Sequence, residues 1–88
     1  MNPIIDRINW VSRNLHGLVE LTDLGLQKVD DEFCYVTQAK QNIKGCPVVY
    51  NIPISADLLK ESSQPRELRA AVDFAVIYAM KTIKGIEP

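Results

Sequence analysis

The run Ala70-Ala71-Val72-Asp73-Phe74-Ala75-Val76-Ile77-Tyr78-Ala79-Met80 carries a single charge and has the composition of a helix. At about 100° per residue, Leu68, Val72, Ala75, Val76, Ala79 and Ile83 fall on one side, which is the expected core stripe. Roughly opposite lie Ala70, Phe74, Ile77 and Tyr78, bordered by Arg66, Glu67, Lys81 and Lys84. A surface helix normally carries one apolar stripe. A helix apolar on two sides needs two covers, and a short chain has little material for the second. An apolar centre with a charged rim has the layout of an interface, so Ala70, Phe74, Ile77, Tyr78 and Lys81 are expected to meet a protein partner. The alternative is that Ala71, Ala75 and Ala79, at four-residue spacing, bring the chain's own sheet close while another element covers Phe74.

Pro65 suits the first turn of this helix, with Gln64 at the cap and Glu67 at the third position, where a carboxylate favours the dipole. Lys81 and Lys84 favour the other end, and Gly85 offers a stop. Upstream, Ser55 can cap a short helical turn through Leu59, followed by the polar connector Glu61-Ser62-Ser63-Gln64. Val48, Tyr50, Ile52 and Ile54 alternate with Val49, Asn51 and Pro53, the clearest strand pattern in the chain. Pro53 cannot donate to a ladder, so this strand's end belongs at a sheet edge or outside the sheet. Gln38 to Gly45 reads as a polar loop, and Phe33 to Thr37 as a strand rich in aromatic and β-branched residues. Asp30-Asp31-Glu32 reads as a tight turn that joins it to a strand running from Leu18 to Val29. Within that strand Val19 and Leu21 share a face with Leu24 and Leu26 only if the register slips near Asp23 or Gly25, as at a bulge.

The N-terminal segment repeats Ile4, Ile8, Val11 and Leu15 at helical spacing, with Asn2 as cap, Pro3 in the first turn and Gly17 as the stop. The expected fold is therefore α+β: an N-terminal helix, a three-stranded antiparallel sheet, a short helix and a long C-terminal helix packed on the sheet. All 88 residues fit one domain, 1–88.

Hydrophobic content of 47% with 24% charged residues is an ordinary globular balance. The formal net charge of -1 provides no global attraction to nucleic acid or anionic membrane, so neither is an expected partner. Charge reaches Asp6 and Arg7 before any long apolar run develops, so no signal peptide or membrane span is read. Cys34 and Cys46 lack CxxC spacing and sit in apolar or strand-like surroundings, which favours reduced, buried thiols and an intracellular setting, cytoplasmic or within a virion.

Signals for chemistry are sparse. His16 is the one histidine and falls in the last turn of the first helix, where an imidazolium suits the dipole. Zinc held by His16, Cys34 and Cys46 would need a fourth ligand and lacks the closely spaced ligand pairs of structural sites. Asp30, Asp31 and Glu32 have the carboxylates for a hard cation but not the EF-hand pattern, and suit a solvated hairpin tip. Glu20 and Asp23 would need two contrasting environments to act as an acid–base pair. No cofactor, metal or catalytic residue is assigned.

Lys40 and Lys44, in the presumed loop with no acid nearby in sequence, are the candidate contacts for an anionic ligand or nucleic acid, although the Walker pattern is absent. Trp10 falls on the polar side of the first helix, beside Asp6, Arg13 and Asn14. An exposed tryptophan there is an anchor candidate alongside Phe74, Ile77 and Tyr78, or else it folds over a loop of its own domain. The functional expectation is a non-enzymatic structural or assembly subunit, self-associating or built into a larger complex such as a phage or virion assembly. The competing expectation is a small anion-binding module at Lys40 and Lys44.

Overall fold

Asn2 sets the start of the chain's first element. Its Oδ1 accepts from the amides of Ile4 at 3.0 Å and Ile5 at 3.4 Å, and its Nδ2 donates to the Tyr35 hydroxyl at 2.7 Å. One side chain thus caps a helix and ties it to the sheet. In the computed structural model, which describes residues 2–83, helix α1 spans Pro3–His16 and ends at Gly17, whose φ of 91° lies in the left-handed region open to glycine. Strands β1 (Val19–Val29), β2 (Glu32–Ile43) and β3 (Cys46–Ser55) follow, then helices α2 (Ala56–Glu61) and α3 (Pro65–Lys81). The expected α+β fold is the observed one. Gly85 and Lys84, read above as a helix stop and a dipole partner, lie outside the described residues; within them α3 closes at Thr82.

The strands form an antiparallel meander in the order β1-β2-β3. Both hairpins turn on two residues with positive φ, Asp30 and Asp31 (50° and 65°) and Lys44 and Gly45 (52° and 81°). That backbone twist matches the twist of the strands it joins. The register of β1 slips between Asp23 and Gly25, as the sequence required, and Asp23 Oδ1 accepts the Gly25 amide at 2.8 Å to hold the bulge. β3 is an edge strand, consistent with Pro47 and Pro53 within it.

Gln38 to Gly45 is not a loop. β2 continues to Ile43, and Lys44-Gly45 alone makes the turn. Ala39, Gln41 and Ile43 are buried while Lys40 and Asn42 are exposed, so the segment is a strand polar on one face. The buried Gln41 hides the alternation from a hydropathy reading.

The helices cover one face of the sheet. Ile8 and Val11 from α1, Val72, Val76, Ala79 and Met80 from α3, and Ala39, Ile43, Tyr50, Ile52 and Ile54 from the sheet form one cluster, with Leu59 of α2 packed against it. Each fully buried isoleucine or valine contributes about 1.5–3 kcal/mol relative to exposure. The expected stripe of α3 is thus the core face. On α1 the stripe is shifted: Leu15 is exposed and Ser12 is buried in its stead. Cys34 and Val36, also buried, point from the central strand to the opposite face of the sheet and stand outside this cluster. Ser55 and Gln64 occupy the cap positions of α2 and α3, but neither side chain makes a capping bond.

Candidate functional site

The outward side of α3 follows from how its inner side is fixed. With Val72, Val76 and Ala79 turned into the core, helical geometry turns Ala70, Phe74 and Lys81 away from it. Phe74 is 75% exposed, Tyr78 63% and Ile77 43%, and Ala70 and Lys81 are exposed beside them. No other element covers Phe74 among the described residues. Phe74, Ala70 and Ala71 instead line an open hollow with Leu58, Glu61 and Glu67, between α2 and α3.

Trp10 is 55% exposed, on the outer side of α1. The Arg7 guanidinium sits over its ring, 4.3 Å from the centroid, and Asn14 Nδ2 donates to the Trp10 carbonyl at 2.7 Å. The indole lines one hollow with Pro3, Arg7, Pro65 and Arg69 and another with Asp6, Asn9, Arg13 and Asn14. Phe74, Ile77 and Tyr78 line neither of these. The same Arg7 makes a bidentate ion pair with Asp73 at 2.6 Å, inside the contact between the two helices. Arg7 thus links the Trp10 ring on α1 to Asp73 on α3.

The lysines are also apart. Lys40 lies mid-strand, directly opposite Glu20 of β1 and Val49 of β3, and shares a shallow hollow with Leu18 and Glu20. Lys44 is at the hairpin tip with φ 52°. Glu20 is distant in sequence but adjacent across the ladder, so the Lys40 surface carries one charge of each sign.

The remaining candidates do not converge. Cys34 pairs with Gln27 and Ser55, whereas the C-terminal end of α1 meets β2 at Gln41, seven residues or roughly 23 Å further along the strand. His16, at that end of α1, is thus far from Cys34. Burial pushes the Cys34 thiol up from its usual 9.0, with the Glu32 and Asp30 carboxylates adding to the effect, so it is held protonated and poorly nucleophilic. Cys46, expected buried, is exposed because it directly follows the turn; both cysteines are free. Glu20 and Asp23 point to opposite faces of β1, and no group of three or more His, Cys, Asp or Glu is arranged to hold a metal ion among the described residues.

Sequence reasoning missed two features. Gln41 is a buried junction: its Nε2 donates to the carbonyls of Ser12 and Gly17, each at 3.0 Å, and its Oε1 accepts from the Tyr50 hydroxyl at 2.8 Å. Leu26 and Phe33, both exposed, form a second apolar patch on the β1–β2 hairpin beyond Tyr35, where the α1 cap meets the sheet. The Leu24-Gly25-Leu26 bulge was the available signal for that patch. No helix of the described residues is long and apolar enough to cross a membrane. No protein-family model, no curated protein and no solved structure matches the chain.

Proposed function

We propose that the chain is a non-enzymatic subunit that acts through protein–protein contacts, and that the outer face of α3 is its contact surface. The carrying observation is the exposure of Phe74, Ile77 and Tyr78 as one contiguous patch on a regular helix whose other side is already committed to the core. Isolated exposed apolar residues are common, whereas adjacent large ones rimmed by charge mark surfaces that meet another molecule. Burying the Phe74 ring alone would contribute about 1.5–3 kcal/mol to association. The hollow beside it, floored by Ala70 and Ala71, gives the patch relief into which a partner's side chain fits.

Phe74→Glu and Ile77→Lys test this reading, with Leu26→Glu as the control at another exposed apolar position. Light scattering and circular dichroism are expected to show a folded chain that no longer associates for the two α3 variants, and unchanged association for the control. Unfolding of the α3 variants, or loss of association only in the hairpin variant, overturns the assignment.

A further inference from the structure

The outward residues of α3 are ordered symmetrically about Phe74. Ala71 and Ile77 stand three positions either side of it, Ala70 and Tyr78 four, and Glu67 and Lys81 seven. All are exposed except the half-buried Ala71. Such an order has a physical consequence when two identical helices pair antiparallel about a two-fold axis through residue 74. Each position before the axis then meets its mirror position on the other chain. Phe74 meets Phe74. Ala70 lies under Tyr78 and Ala71 under Ile77, so a small side chain faces a large one at both steps on either side of the centre. Glu67 meets Lys81 twice, about 10 Å along the helix to either side of the centre, closing the apolar contact with opposite charges at both ends. The helix dipoles oppose each other as well. Parallel pairing in register would instead set Glu67 against Glu67, Lys81 against Lys81 and Tyr78 against Tyr78.

We infer that the outer face of α3 is closed by a second copy of this chain, antiparallel, with the two-fold axis at Phe74. The inference rests on the contact role given to this face above and adds its occupant and orientation. In this arrangement Tyr78 of the second copy enters the hollow floored by Ala70 and Ala71 and bounded by Leu58 of α2.

The test is a set of charge exchanges on the full chain, read by sedimentation and light scattering with circular dichroism as the check on folding. Glu67 and Lys81 are exposed, so their exchange leaves the core intact. Glu67→Lys alone and Lys81→Glu alone are each expected to weaken dimerisation roughly tenfold, since each sets like charges together at both ends. The double variant, and an equimolar mixture of the two single variants, are expected to recover wild-type affinity, because both restore Glu–Lys pairs. A wild-type chain that stays monomeric at every soluble concentration overturns the second copy as occupant while leaving α3 open to a different protein. A dimer lost with Phe74→Glu but indifferent to charge exchange overturns the antiparallel arrangement alone. A dimer that survives Phe74→Glu overturns this inference and the contact role of α3 together.

Discussion

Arg7 and Asp73 are joined by two parallel hydrogen bonds, Nε to Oδ1 and Nη2 to Oδ2, each 2.6 Å long. The pair links helices from the two ends of the chain, and the carboxylate holds the guanidinium's pKa above its ordinary value. It also explains the single charge in the apolar run of α3: Asp73 sits at the border between the core stripe and the outer face, where it fixes how α3 is rotated against α1. Its side chains are about a quarter exposed, at 23% and 31%, so solvent screening limits its strength. A double-mutant cycle with Arg7→Ala and Asp73→Ala is expected to give a coupling of about 1 kcal/mol by urea unfolding. A coupling near zero would mean that packing alone sets the rotation of α3.

Gln41 bears a heavier structural role than any other polar residue in the described core, since two carbonyls and one hydroxyl depend on it. Gln41→Leu removes their partners without opening a large void. The expected loss is about 2–3 kcal/mol, or a fall in Tm of roughly 10 °C or more for a domain of this size. Thermal unfolding checks it, and a loss below about 1 kcal/mol would show that these groups find other partners.

Thr37 presents the opposite case. Its Oγ1 is buried on the helix-covered face of the central strand and has no hydrogen-bond partner among the described residues. Thr37→Val replaces an unpaired hydroxyl by a methyl group of similar size. Stability is expected to stay level or rise by up to about 1 kcal/mol. A marked loss would reveal a partner for the hydroxyl.

Alkaline pH acts through three neutral groups. Burial pushes up the Cys34 thiol from 9.0 and the Tyr50 phenol from 10.0; for Tyr35, also from 10.0, burial is joined by the nearby Asp23 carboxylate. Above those ordinary values the unfolded chain has released protons that the folded chain still holds. Their contribution to stability is therefore fully present below about pH 9 and is lost as pH rises through the folded values. Urea midpoints between neutral pH and pH 11 are expected to fall, and Tyr50→Phe is expected to fall less steeply than wild type. Equal slopes would show that the Tyr50 phenol ionises as freely in the fold as outside it.

Much of the fold was legible because its signals are local. Asn2 with Pro3 and Gly17 bracket α1, the slip at Gly25 follows from alternation on either side of it, and Tyr50, Ile52 and Ile54 mark their own strand. The misread segment, Gln38 to Gly45, failed for a non-local reason. Gln41 is polar yet buried, because its partners Ser12, Gly17 and Tyr50 come from other elements, so hydropathy mislabels its face. Lys40 shows the same limit. Its neighbour Glu20 is twenty residues away in sequence and becomes adjacent only through the β1–β2 register. Phe74, by contrast, was legible as the centre of a second apolar side, since helical periodicity alone places it opposite Val72 and Val76. Its relation to Trp10 was not, because that depends on how α1 and α3 pack.

The central claim is that α3 meets a second copy of the chain through the face around Phe74. The most direct measurement follows backbone amide chemical shifts of the labelled chain across a dilution series. Concentration-dependent shifts are expected to cluster at Glu67, Ala70, Phe74, Ile77, Tyr78 and Lys81, and to vanish in Phe74→Glu. Shifts confined to the Leu26–Phe33 hairpin or the Trp10 surface, or none at any concentration, would contradict the claim.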